Sequence, residues 1–233
     1  MMMSQDNSII RSIGLSIISI VILSIGFIPL LLYVKLLIIF VDIENILYWF
    51  LLPFLISIGF MILLISQILF SGLIIHIFHI VYEPGVYPYN IREKNVFRWM
   101  LLCTLYTPAR KLMEIFPIGG LKNFYYKLLG MHIGENTLVG GVVKDPCVTS
   151  FGSNTTMGEY AIIYGHIHDY SRGTITIRRV HIGDNCIIGA GAIIMPGVTI
   201  QDNVIVAAGA VVPQNKILES GKTYAGIPAK PIT

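Results

Sequence analysis

The sequence predicts two architectures in tandem: a pair of membrane-spanning α-helices, then a triangular parallel β-helix. Three observations carry this. Residues 12–34 are 23 consecutive positions without Lys, Arg, Asp or Glu, and residues 46–82 are another 37. From Ile133 onward a large apolar residue recurs at every sixth position. Charged residues make up only 12% of the 233, against about 25% in an average soluble domain.

The spans come first. A transmembrane helix needs about 20 predominantly apolar residues, which Ser12–Val34 supplies. A helix over all of 46–82 would reach roughly 55 Å, against a hydrocarbon core of about 30 Å. Part of that run is therefore expected to span and the rest to tilt or lie along the interface. The first run is too long, and lacks a following small-residue cleavage site, to read as a cleaved signal peptide. Seven Lys and Arg fall between residues 83 and 127. Cations collect on the cytoplasmic side, so both termini are expected there. The expectation is an integral membrane protein, of the plasma membrane, with its C-terminal domain in the cytoplasm and with membrane lipid as a partner.

Residues 1–82 thus form the hairpin and 83–130 a connecting segment. That segment opens on the turn-rich "EPGVYPYN" (83–90) and continues as "NVFRWMLLCTLY" and "LKNFYYKLLG". Their mixture of apolar residues, aromatics and cations suits amphipathic helices at a membrane surface, or an ordinary connector.

Residues 131–233 hold the repeat. The leading positions are Ile133, Val139, Asp145, Phe151, Met157 and Ile163, then Ile182, Ile188, Ile194, Ile200 and Val206. Asp145 is the one misfit. The fifth position of each unit is mostly small or β-branched, as in Thr137, Thr155, Ala192 and Val204. A fixed short period marks a repeat architecture. Six residues rotate an α-helix by about 600°, so a helix cannot keep every sixth residue on one face. Three hexads to an 18-residue coil can, with the lead pointing inward and Gly or Asn at the corners where positive φ is needed.

The rhythm fails in "YGHIHDYSRGTI" (164–175). Ile163 and Ile182 are 19 positions apart, one more than three hexads, so the chain is expected to leave the coil as a loop and return one residue late. Loops on rigid scaffolds carry function. Histidine, with an ordinary pKa near 6.5, suits a general base at neutral pH, and a carboxylate commonly fixes its tautomer. The loop supplies His166, His168 and Asp169.

Other chemistries find little support. The net charge of +3 comes without a basic block interleaved with aromatics, so no nucleic acid is expected. Cys103, Cys147 and Cys186 show no CxxC spacing, which supports neither a disulfide framework nor a zinc site. No metal site is predicted.

The stretches "LLGMHIGENT", "VHIGDNCIIGAGAIIMPGVTI", "AAGAVV" and "YAGIPAKPI" resemble the hexapeptide-repeat acyltransferases, and the N-terminal part resembles membrane-anchored members of that family. The resemblance implies a left-handed coil, a homotrimer with active sites between subunits, and acetyl-CoA or another acyl-CoA as donor. It places the catalytic histidine in an extended loop before a V-x-I-G return, here Val180–Gly183. By spacing His168 fits best, with His166 its rival, and Asp169 or another carboxylate orients the base. The pantetheine arm would lie along backbone at Gly191, Ala192 and Gly209, with Lys222 and Lys230 meeting phosphates. Two departures bear on the donor groove: Gly226–Ala229 reads GIPA where GNPA is usual, and Ile187 replaces a frequent aromatic.

The expected function is membrane-anchored acyl transfer, most simply of acetyl groups, to a hydroxyl or amine of a small or lipid-linked acceptor. Two alternatives are a γ-class carbonic-anhydrase-like metalloenzyme using His166, His168 and His181, and a non-catalytic trimeric membrane scaffold.

Overall fold

A computed structural model describes residues 2–41, 44–116 and 120–232, with side chains from residue 9 onward. The chain resolves into two compact units. One gathers the residues up to Phe78 together with the stretch from Leu101; the other gathers 79–100 and the remainder of the chain from residue 120 on.

In the first unit, α1 (Met2–Phe40) and α2 (Ile46–Ile77) are antiparallel neighbours joined by a short link. Residues 9–40 and 46–77 are each long and apolar enough to cross a membrane. At about 1.5 Å per residue, 32 residues exceed a 30 Å core, and α2 ends at Ile77 rather than continuing to residue 82. In lipid, whose tails are as apolar as leucine, polar groups and close backbone approach would join such helices. Here the Ser66 hydroxyl donates to the Gly26 carbonyl (2.6 Å) and the Gln67 amide to the Leu23 carbonyl (3.0 Å). A Cβ at Gly26 would overlap the end of the Gln67 side chain, so any larger residue here must displace that amide from its bond to Leu23. The Tyr33 hydroxyl donates to the Leu55 carbonyl (2.8 Å) further along. Helix α3 (Lys94–Ile115) adds its later turns to this unit. There Phe116 packs edge-on against Phe60 with ring centroids 5.6 Å apart.

The second unit is a parallel β-helix with three flat faces. One face stacks strands whose inward residues are Ile133, Phe151, Ile182, Ile200 and Leu218. The next stacks Val139, Met157, Ile188, Val206 and Tyr224. The third stacks Val143, Ile163, Ile194 and Val212. All are buried, and burying such a side chain fully is worth about 1.5–3 kcal/mol. Three residues after an inward lead the chain turns a corner with positive φ: Asn136, Asn154, Asn185, Asn203 and Asn215, or Gly191, Gly197, Gly209 and Gly221. Asparagine and glycine tolerate that conformation best. Along one corner a ladder of side chains links successive coils. The Thr137 hydroxyl donates to the Gly152 carbonyl (2.6 Å) and accepts from the Thr155 amide (3.1 Å). Thr155 repeats this one coil on, with the Gly183 carbonyl (2.9 Å) and the Cys186 amide (2.9 Å).

Both ends of the coil are covered. Helix α4 (Leu121–Leu128) buries Tyr125 and Tyr126 against its start. Asn123 takes the Val139 amide and gives to the Thr137 carbonyl, and the Tyr126 hydroxyl accepts from the Val143 amide. These bonds satisfy backbone groups that an open first coil would leave unpaired. At the other end residues 223–225 pair antiparallel with 230–231.

Two expectations about the repeat need correction. Asp145 is not an inward lead. Val143 takes that place, and the chain then detours through a 3₁₀ turn at Pro146–Val148 before rejoining the coil at Thr149–Phe151. The second concerns residues 163–182. Phe151 and Ile182 are stacked neighbours 31 positions apart rather than 18, so thirteen residues are inserted into one six-residue step. They form a β-hairpin rather than an irregular loop. Strand β1 (Gly85–Pro88) pairs antiparallel with β3 (Thr174–Ile177), which pairs antiparallel with β2 (His166–Asp169).

Candidate active site

The carboxylate of Asp145 lies at the point where the detour meets the hairpin. It is fully buried, and it accepts four donors. Its Oδ1 takes the Tyr82 hydroxyl (2.7 Å) and the Trp99 indole N–H (3.2 Å). Its Oδ2 takes the Gly165 amide (2.7 Å) and His166 Nδ1 (2.7 Å). A carboxylate offers about four lone-pair sites and no proton, so the set is complete. A buried carboxylate is tolerable only when so satisfied. Gly165 is sterically required, because a Cβ there would stand 2.7 Å from the Asp145 Cβ and 2.6 Å from Val148 Cγ2.

Since the carboxylate only accepts, His166 Nδ1 carries a proton, and in the neutral ring Nε2 then holds the lone pair. That is the arrangement by which a carboxylate turns an imidazole into a base. The ring is 14% exposed, enough for a reacting group to reach it. Trp99 packs edge-on against it with centroids 4.8 Å apart, and Tyr164 at 6.3 Å.

His168 stands beside it, ring centroids 5.3 Å apart. Tyr89 (4.8 Å) and Trp99 (5.3 Å) meet it edge-on, and Tyr170 stacks on it at 5.7 Å. Its Nδ1 is enclosed without a hydrogen-bond partner among the described residues. Burial pushes this imidazole below its ordinary value, the adjacent His166 adds to that, and Asp145 opposes it.

Asp169 is not brought to either histidine. Its carboxylate accepts from the Ser171 hydroxyl (2.6 Å) and amide (3.0 Å) and the Arg172 amide (3.1 Å) in the hairpin turn. Those bonds, led by the Ser171 hydroxyl, hold its pKa below the usual carboxylate range. His181 sits on a coil face with Nδ1 2.9 Å from the Ser150 hydroxyl, apart from the hairpin pair. Among the described residues, no group of three or more His, Cys, Asp or Glu is placed to hold a metal ion. Cys147, near Asp145, is pushed up to about 11 by burial, so it remains a thiol and a poor nucleophile.

Of the residues expected to meet the donor, Gly191 and Gly209 occupy the same corner one coil apart, and added Cβ atoms there would meet nothing within 4 Å. The Ala192 side chain points into the core, leaving only its backbone for contact. Lys222 lies on a different corner, paired with Glu219 at 2.5 Å. Lys230 is exposed on the closing strand. Sequence reasoning missed Asp145, Tyr82 and Trp99 as site residues. The signal for Asp145 was present, as the single lead that breaks the repeat.

The site is thus an aspartate-backed histidine on a hairpin inserted into a corner-turning β-helix. Residues 179–214 match the family described as "Bacterial transferase hexapeptide (six repeats)". A curated relative, "Putative acetyltransferase YvoF" of Bacillus subtilis (strain 168), is 36% identical over 89 residues, 35% of this chain and 49% of that protein. The chain thus matches about half the length of that relative. Among solved structures, a maltose O-acetyltransferase from Clostridium difficile 630 is 25% identical, with a TM-score of 0.45, covering 53% of this chain and 82% of that one. A hexapeptide-repeat acetyltransferase, VCA0836 from Vibrio cholerae, is 27% identical with a TM-score of 0.42, covering 45% and 62%.

Proposed function

We propose that this protein is a membrane-anchored acyltransferase that moves an acyl group, most simply acetyl, from coenzyme A to a hydroxyl or amine. The observation that carries this is the His166–Asp145 pair. Nε2 of His166 takes the proton of the attacking group, whose lone pair forms a bond to the thioester carbonyl carbon. The carbonyl π electrons move onto oxygen. When they return, the C–S bond breaks and the leaving thiolate takes the proton from His166. Asp145 holds the tautomer and stabilises the transient imidazolium without itself taking the proton. His168, the better match by spacing, lacks any carboxylate partner, so the geometry favours its rival as the base.

The donor is assigned to the open corner at Gly191 and Gly209, where the pantetheine arm can approach backbone closely, with Lys230 as a point charge for its phosphates; Lys222, on another corner and paired with Glu219, is left out of that role. Helices α1 and α2 anchor the chain, with the β-helix on the cytoplasmic side where acyl-CoA is found, and three chains assemble with sites at their interfaces. The anchor makes a lipid-linked acceptor the natural choice, with a small soluble one as the other possibility.

The test uses full-length protein in detergent with isotopically labelled acetyl-CoA and a total membrane-lipid and metabolite extract. Mass spectrometry should find a labelled acceptor with wild type and not with His166→Ala, at a loss of about 10²- to 10⁴-fold in kcat. Undiminished transfer by His166→Ala overturns the assignment of the base. No transfer by wild type overturns the activity and leaves the scaffold reading. A cysteine introduced at the exposed Asn215 should resist an impermeant label in intact cells, and ready labelling would reverse the topology.

A further inference from the structure

The two histidines of the hairpin differ in what their Nδ1 atoms touch. His166 Nδ1 donates to Asp145 at 2.7 Å. His168 Nδ1 is enclosed with no partner among the described residues. A neutral imidazole carries one N–H and one lone pair. An enclosed N–H without an acceptor is the rarer and costlier orphan, about 1–3 kcal/mol for the unmet group. The lone pair of His168 therefore belongs on Nδ1 and its proton on Nε2, which is not enclosed. Protonating this ring would put a second N–H at Nδ1 among aromatic neighbours, so the neutral form persists. The groups facing it agree. Tyr89 and Trp99 pack against it in T-shaped geometry and Tyr170 stacks on it. The carboxylate of Asp169, the next residue along the chain, is engaged by Ser171 and Arg172. Only Asp145 would favour a charge there, and burial with the adjacent His166 outweighs it.

Two adjacent histidines thus hold opposite chemistry: a lone pair at Nε2 of His166 and an N–H at Nε2 of His168. Neighbouring titratable groups whose ring nitrogens meet different partners mark complementary roles. We infer that His168 is a catalytic hydrogen-bond donor whose Nε2–H receives the oxyanion formed at the thioester carbonyl, while His166 takes the proton of the attacking group. This rests on the acyl-transfer reading above. The attacking atom and the carbonyl oxygen become bonded to one carbon, so a base for one and a donor for the other must stand side by side. Ring centroids 5.3 Å apart meet that need. A neutral donor also avoids placing a second cation beside the imidazolium of His166, which would oppose proton uptake. No proton leaves or joins His168 during the cycle.

The first test reads the ring itself. Full-length protein labelled with ¹⁵N-histidine, in detergent, should show His168 with unprotonated Nδ1 and protonated Nε2 in long-range ¹H–¹⁵N spectra at neutral pH. A proton on Nδ1, or a charged ring, overturns the inference whatever the activity. The second test reads turnover with labelled acetyl-CoA and the membrane extract as acceptor. His168→Ala should lose about 10²- to 10³-fold in kcat, the cost of one oxyanion donor, with the KM for acetyl-CoA little changed. His168→Gln keeps an N–H near the position of Nε2 but no basic nitrogen, and should recover most of the loss with the acid limb of the pH profile in place. If Gln is as inactive as Ala while wild type turns over, the donor role falls and acyl transfer stands. If wild type transfers no acetyl group, both fall.

Discussion

The coils from Ile182 to Tyr224 and the first coils from Ile133 to Ile163 share one architecture and differ in regularity. In the later coils every six-residue step is filled by an inward aliphatic or aromatic lead and a tight corner. In the earlier ones the chain departs twice, at the Asp145 detour and at the inserted hairpin. Among the described residues, the regular region buries no polar or charged side chain apart from the Cys186 thiol, on which the threonine ladder of the first coils ends. The irregular region holds a buried carboxylate, two histidines and an indole in mutual contact. Repetition supplies stability, and the two breaks, brought to one point by the coil, supply chemistry.

The largest expected effect comes from the joint between the two breaks. Asp145→Ala should lower kcat by about 10⁴-fold, because His166 loses the group that fixes its tautomer. It should also destabilise the protein, since the donors of Tyr82, Trp99, Gly165 and His166 are left unmet at about 1–3 kcal/mol apiece. Denaturant unfolding and turnover should therefore both change. Asp169→Ala, by contrast, removes only bonds within the hairpin turn and should leave kcat near wild type.

The regular region should behave oppositely. Ile200→Ala removes a fully buried lead and should cost about 2–5 kcal/mol, read as a lowered unfolding midpoint. Its kcat, measured where the variant is folded, should match wild type. A large kcat loss there would blur the separation of scaffold from site. In the first coils, Thr155→Val should cost less, about 1–3 kcal/mol, because the Gly183 carbonyl and Cys186 amide across the boundary to the regular region lose one partner each.

How far the sequence reveals all this follows the same division. The hexads from Ile182 on, their asparagine and glycine corners and the two apolar helices were legible, because each is a local period. The Val143 lead was not, since it follows Val139 by four positions and hides behind the expected sixth. The hairpin was legible as a break but not as a strand pair, because its third strand, Gly85–Pro88, lies far away in sequence. His166 and His168 were found together. Their roles depend on what Nδ1 touches, and Asp145, 21 positions before His166, is not a neighbour that spacing can supply.

The smallest expected effect concerns pH. The folded-state pKa of His168 is lowered from 6.5. The unfolded chain therefore binds the proton more readily than the folded one just below that value. Stability from this group is complete above about 6.5 and lost as pH falls through the folded value. His168→Phe should flatten that part of the stability–pH curve.

The most direct measurement is a double-mutant cycle between Asp145 and His166 in kcat/KM for acetyl transfer, on variants whose circular dichroism is intact. If the detour and the hairpin make one catalytic unit, Asp145→Ala combined with His166→Ala will be about as slow as the slower single variant, a strong non-additivity. Losses that multiply would mean that the two residues act independently, and the central claim would be wrong.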